Sequence, residues 1–333
     1  MSLRRRLVFV TGAFGLVPLV VLLWAPTVGS TPVSLARAFD RRIPWADNVD
    51  AQIFFVARLP RVLAGSLIGA ALAAAGVVLQ AMLRNPLATP FTLGVSAGAA
   101  LGAMLAIAWR LDVGAVGVSS VPIASFLGSL VAMAIVYGLA SSQRRGLSTN
   151  VLLLAGVTLN SFFSALILFV QYLADFAESY RTVRWLMGDL DIGSYRPILA
   201  ALPFTVAAFA VFAILPRALN LLTMGEDVAA SRGVDVGRAQ RWAFFSASLA
   251  TGAAVSLGGP VGFIGIVVPH LVRLMVGSDH RVVLPAATLF GAAFLVMCDV
   301  LARTVMAPVE VPVGVITALI GGPFFLWLLV RQS

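Results

Sequence analysis

The chain has 333 residues, 60% hydrophobic and 11% charged, with 23 basic and 14 acidic side chains. A soluble domain is about half apolar and about a quarter charged, so this composition excludes one and indicates a polytopic membrane protein. Every basic residue is arginine, which excludes both a P-loop, whose lysine reaches the nucleotide phosphates, and a lysine Schiff base.

The arginines fall singly or in short runs between apolar stretches. That distribution suits a positive-inside membrane protein and not a nucleic-acid-binding stripe. The apolar runs are continuous, which suits helices rather than the alternating strands of a membrane barrel. About 20 apolar residues cross a bilayer as a helix. Ten runs qualify: 7–23, 62–83, 91–109, 121–140, 151–173, 198–215, 242–257, 261–276, 282–305 and 313–330. The third, seventh and eighth are short and glycine-rich, which predicts tilt or a break. The expected fold is therefore all-α, a polytopic membrane bundle of about ten transmembrane helices in a single domain, 1–333.

Arg4, Arg5 and Arg6 precede the first run, the outline of a signal peptide, but the apolar stretch exceeds a usual h-region and predicts an uncleaved span. Segment 25–57 follows, with Asp40, Arg41, Arg42, Trp45, Asp47 and Asp50. Arg58 and Arg61 flank Leu59-Pro60 at the start of the second span, where proline is tolerated. Both guanidiniums are expected at the surface, either as snorkelling interfacial residues or as forks for carboxylates on a docking partner. Gly65, Gly69 and Ala73, and likewise Gly94, Gly98 and Gly102, recur every four residues, so helix backbones are expected to approach closely there.

The second and third spans are joined by Asn85-Pro86-Leu87-Ala88-Thr89-Pro90, a turn stiffened by two prolines. Ser148-Thr149-Asn150 reads as the N-cap of the fifth span. Both are also positions where a pathway would open. Segment 174–197 is the second long connection and carries Asp175, Glu178, Arg181, Arg184, Trp185, Asp189 and Asp191.

The stretch 217–241 is an island of soluble-looking sequence between two apolar runs. Its charges, two short helix-like halves and glycine breaks suit an aqueous contact surface. Beyond it, His270 is a lone histidine and predicts a hydrogen-bonding or gating group rather than a metal ligand. Cys298 is a lone core thiol, with no disulfide partner and no multi-cysteine metal site. Asp299 and Arg303 share a helix face near the external end of the ninth span, which predicts a local ion pair or an external contact. Asp299 is the one carboxylate within the spans, and its pairing argues against an ion-coupled secondary transporter, the alternative reading. No nucleophile–base set is evident, so neither catalysis, a cofactor nor a metal is assigned.

With the N-terminus inside, 13 of the 23 arginines fall on the cytoplasmic side: Arg4, Arg5, Arg6, Arg84, Arg144, Arg145, Arg217, Arg232, Arg238, Arg241, Arg273, Arg281 and Arg331. Ten spans return the C-terminus to that side, and the island lies there too.

Taken in order, these segments resemble the FecCD-type permeases, the membrane subunits of type II ABC importers for ferric siderophores, haem and vitamin B12. The resemblance runs nearly the length of the chain. It is carried by R-L-P-R (58–61), L-Q-A-M-L-R-N-P-L-A-T-P-F-T-L-G-V-S-A-G-A (79–99), W-L-M-G (185–188), G-E-D-V-A-A-S-R-G-V (225–234), G-F-I-G-I-V-V-P-H-L-V-R (262–273), G-S-D-H-R (277–281) and V-P-V-G-V-I-T-A-L-I-G-G-P-F-F-L (311–326). It implies a multi-pass protein of the cell inner membrane, two copies of which form the pore. Two cytoplasmic ATP-binding subunits would lie on one side and a periplasmic substrate-binding protein on the other. It implies docking of that binding protein through Arg58, Arg61 and Arg303, and cytoplasmic gates at Asn85 and Leu87 and at Thr149 and Asn150. The island corresponds to the ATPase-coupling helices, with Gly225, Glu226, Ala229 and Gly233 on motif positions. One departure is Arg232, where the family usually has leucine, which puts the packing of that helix junction in question.

Overall fold

The computed structural model describes residues 3–111, 120–141 and 148–332; Arg144 and Arg145 lie outside them. The first helix, α1 (Leu3–Trp24), leads through a 3-10 turn (Ala25–Thr27) to two single turns, α2 (Leu35–Ala38) and α3 (Val49–Gln52). Four helices follow: α4 (Leu59–Met82), α5 (Val95–Ala108), α6 (Ser120–Ser141) and α7 (Thr149–Leu173). A surface helix α8 (Phe176–Leu186) precedes α9 (Arg196–Ile214), and the island supplies α10 (Pro216–Leu222) and α11 (Glu226–Ser231). The chain closes with α12 (Val236–Gly258), α13 (Ile264–Val276), α14 (His280–Thr304) and α15 (Val313–Gln332). No strand occurs among the described residues.

Each of the ten predicted runs contains a helix, and among the described residues six helices are long and apolar enough to cross a membrane by themselves. Two of the runs expected to be short, those at α5 and α13, are short, and α15 offers only Val313–Leu328 as apolar helix. The seventh run is a correction. Its helix, α12, has 23 residues because it starts at Val236, and Arg238, Gln240 and Arg241 in its first turns hide its length from an apolarity scan. The second span is also longer than predicted, since a π-helical stretch, Ile53–Arg58, joins α3 to α4 in one helical rod, Val49–Met82.

Helix α4 forms the axis of the bundle, packed by α14, α12 and α13. Lipid is as apolar as leucine, so helices associate there through close van der Waals packing at small residues. Gly69 shows how close: a Cβ added to it would lie 2.2 Å from the Gly291 carbonyl oxygen of α14. The second predicted glycine series pins α5 to α6, with Gly98 on Gly128 and Gly102 on Ala124. Helices α1, α6, α7 and α9 ring this centre with mostly exposed apolar faces. The ring helix α1 lies along α14, where Phe14 and Phe290 meet edge to face at 6.1 Å, and the Arg6 guanidinium donates to the Val276 carbonyl at the end of α13.

Candidate functional site

Charged groups gather at the two ends of the α4–α14 pair. At the first end α1 stops at Trp24 and runs into the 3-10 turn Ala25–Thr27 and the loop behind it. Arg58 and Arg303 bring donors to the carbonyls of this connection. Arg58 bonds the carbonyls of Pro26 at 3.3 Å and Thr27 at 3.2 Å, and also that of Thr31. Arg303 bonds the Ala25 carbonyl at 2.7 Å. Cations also suit the negative end of the helix dipole.

The sequence reading placed both Arg58 and Arg61 at the surface, and for Arg58 the structure corrects it. Arg58 and Arg303 are 6% and 3% exposed, and both are committed to backbone. The π-helical turn that ends at Arg58 accompanies its inward placement. The Arg61 side chain is 11% exposed and holds two carboxylates, Asp299 at 2.8 Å and Glu310 at 2.6 Å. Asp299 is 1% exposed. It also meets Arg303 at 3.4 Å, the predicted local pair, as an ion contact without hydrogen-bond alignment. Glu310 is different, since its side chain is 38% exposed on the loop before α15. Arg61 thus holds one buried and one part-exposed carboxylate. Arg58, Arg61, Arg303 and Glu310 line a cavity of about 750 Å³ with Arg184, Asp189 and Asp191.

Local bonds order the α8 segment and its neighbours. Asp175 caps α8 by accepting from the Glu178 N–H at 2.8 Å, and Arg110 pairs with Glu178 at 2.6 Å and Asp175 at 3.0 Å. Arg184 pairs with Asp189 at 2.8 Å. The Gly188 carbonyl accepts from the Val313 N–H at 3.1 Å, tying the W-L-M-G segment to the start of α15.

At the opposite end the island folds as the two predicted short helices, with Gly225 and Gly233 at φ +121° and +82°, left-handed values that suit glycine. It is anchored twice. From α10, the Asn220 amide donates to Asp279 at 2.8 Å, and its oxygen accepts from the His280 N–H at 2.9 Å. Asp279 caps α14, and Arg281 and Asn220 hold its carboxyl well below the usual carboxylate range. From α11, Glu226 meets Arg84 at 3.7 Å and accepts from Gln240 at 3.1 Å.

The island's named residues divide by direction. Ala229 is fully buried and packs inward, so it cannot itself touch a partner. Glu226 and Gly233 are exposed, Gly225 half-buried. The apolar groups that face outward are Met224 and Val228, which the sequence reading missed. Arg232 settles the question of the junction: it caps the C-terminal end of α11 in solvent, where a cation suits the helix dipole.

The Asn85–Pro90 turn lies at the same end. Asn85 Oδ1 accepts from the Leu87 N–H at 2.9 Å, leaving the Leu87 side chain exposed. Thr149 is half-buried and Asn150 exposed at the start of α7. Ser148 occupies the predicted N-cap position, but its side chain makes no capping bond. Gly156 of α7 packs on Thr92 and Leu93, which brings the beginning of α7 beside the segment that follows the turn. His270 has a buried Nε2 without a hydrogen-bond partner, and its ring stands edge-on to Phe324 at 6.1 Å. Among the described residues no group of three His, Cys, Asp or Glu side chains gathers to hold a metal.

Comparison with known proteins gives a consistent answer. The FecCD transport family matches residues 16–331. The cobalamin import system permease protein of Halobacterium salinarum is 45% identical over 276 residues, 82% of this chain and 72% of its own. The hemin transport system permease protein of Yersinia pestis is 37% identical over 318 residues, 94% of each chain. Among solved structures, an inward-facing metal-chelate type ABC transporter superposes with a TM-score of 0.84 at 29% identity, covering 96% of this chain and 98% of its own.

Proposed function

The chain belongs to the FecCD transport family, and from that premise we propose that it is the permease subunit of an ABC importer that carries a bulky metal chelate into the cell. Ferric siderophore, haem and cobalamin are the candidate cargoes, as the relatives' names suggest. Two copies form the pore and both termini face the cytoplasm. The chain is not itself an enzyme: two separate ATP-binding subunits hydrolyse ATP below it, and a periplasmic binding protein delivers cargo from above.

The observation that carries this reading is the island. It is held to α4, α12 and α14 by Glu226 and Asn220 while presenting Met224, Val228 and several charges to water. Such an element can both receive a partner and pass its movement on. ATP shifts the pore only if the ATPase contacts the island differently in the two pore states. Gly225, Glu226 and Gly233 take part in that contact, with Ala229 as packing beneath it. Asn85, Leu87, Thr149 and Asn150 gate the cytoplasmic mouth. At the other end Arg61 receives a carboxylate of the binding protein, with Arg58 and Arg303 fixing the frame around it.

The test is reconstitution in proteoliposomes with and without the ATPase. Uptake of a chelate is expected only with ATP and the ATPase together. Uptake by this chain alone, or uptake abolished by an uncoupler, would overturn the reading in favour of an ion-coupled carrier. The locking of Asp299 between Arg61 and Arg303 counts against that carrier, since a proton-carrying carboxylate must be free to exchange.

A further inference from the structure

Helix α4 ends on a residue that the local backbone does not favour. Leu83 is its C-cap, and Arg84 follows at φ +49°. The Asn85 N–H bonds the Gln80 carbonyl at 3.1 Å and the Arg84 N–H bonds the Ala81 carbonyl at 3.4 Å. This is the two-bond helix ending in which the left-handed position normally falls to glycine, because a Cβ is disfavoured there. The sequence places an arginine at that point instead.

Its side chain reaches the island. The Arg84 guanidinium lies 3.7 Å from Glu226, in the first turn of α11, and both side chains are about half exposed, at 47% and 45%. A pair so exposed stabilises a fold little. It does not make up for the left-handed backbone, so stability alone does not account for an arginine here. Position does. Arg84 immediately precedes Asn85, whose side chain holds the turn that carries Leu87. Glu226 also accepts from Gln240 of α12, so it is fixed on two sides.

We propose that Arg84 is a positioning residue, a strut through which displacement of α11 pulls on the Asn85–Pro90 turn. This rests on the reading of the chain as an ATP-driven permease and names the contact that joins its coupling surface to its gate. The strut must differ between pore states, either in length or in partner, for it to transmit anything.

The decisive variant is Arg84→Gly in the complete transporter, reconstituted with its ATPase and binding protein. Glycine relaxes the backbone and keeps both end-of-helix bonds while deleting the guanidinium. The melting temperature is expected to hold or rise, ATP hydrolysis to persist, and chelate moved per ATP to fall by roughly 2- to 30-fold, the range for residues that tune coupling without touching a ligand. Arg84→Lys should recover part of the loss. Wild-type transport per ATP in R84G would overturn the proposal, and so would an R84K variant that recovers nothing over R84G. Failure of the underlying reading looks different, because the wild-type complex would then show no ATP-dependent uptake.

Discussion

Replacing Asp299 with asparagine removes one charge and almost no volume. The carboxylate is 1% exposed and lies 2.8 Å from Arg61 and 3.4 Å from Arg303. Asparagine leaves two guanidiniums facing each other over a largely buried position, where Arg303 is 3% exposed and the Arg61 side chain 11%. Breaking a buried pair in this way costs about 3–5 kcal/mol, because the remaining charge stays desolvated. Here the lower part of that range applies. Arg303 keeps its bond to the Ala25 carbonyl, and Arg61 keeps Glu310. With a melting shift of about 2–4 °C per kcal/mol for large domains, a cost of about 3 kcal/mol lowers the transition by roughly 6–12 °C. The assay is thermal unfolding of the purified protein in nanodiscs, followed by tryptophan fluorescence. D299N/R303Q removes one stranded cation and should regain part of the loss, since contacting residues do not add independently. A D299N protein that melts within about 1 °C of wild type, below the smallest cost expected for a broken buried pair, would refute the reasoning. If that stable variant also lost transport, Asp299 would be a carrier carboxylate and the ion-coupled alternative would gain.

Gly69→Leu should prevent α4 and α14 from meeting, since even a Cβ would lie 2.2 Å from the Gly291 carbonyl oxygen; loss of monodisperse protein in size-exclusion chromatography checks this, with Gly138→Ala, whose Cβ meets nothing within 4 Å, as the control. Asp279→Asn keeps a capping side chain but loses the charge held by Arg281 and Asn220. Because the folded carboxyl titrates below its unfolded value, its stabilisation is complete at neutral pH and is lost as pH falls through the folded value. The melting difference between D279N and wild type should therefore be constant near pH 7 and shrink below about pH 4. Arg58→Gln should lower the melting temperature, because the carbonyls of Pro26, Thr27 and Thr31 lose their donor. Glu310→Gln should leave melting unchanged and alter the response of ATP hydrolysis to binding protein, measured as half-saturation, because it frees the exposed side of Arg61.

Helix count and contact chemistry were legible in the sequence, since both depend on residues close in the chain. Ten apolar runs gave ten helices. Glycines every four residues marked the α4–α14 and α5–α6 contacts, because that spacing places them on one face. Asp299 and Arg303 declared their pairing by the same rule, and the island announced itself by polarity against its flanks. Where a local rule failed, it failed on composition: the polar first turns of α12 concealed a full-length helix.

The direction of each charged side chain was a different matter. Arg58 and Arg61 read alike in sequence, three residues apart beside one proline, yet Arg58 turns to the carbonyls of the connection after α1 while Arg61 turns to Asp299, 238 positions away. Glu226 reads as a motif position on an exposed helix, and only the folded chain sets it against Arg84 at the end of α4. Periodicity fixes which face of a helix a residue occupies. It cannot say which helix lies against that face, nor which unpaired carbonyl or carboxylate that neighbour brings, and in a low-dielectric bundle those partners decide where an arginine points.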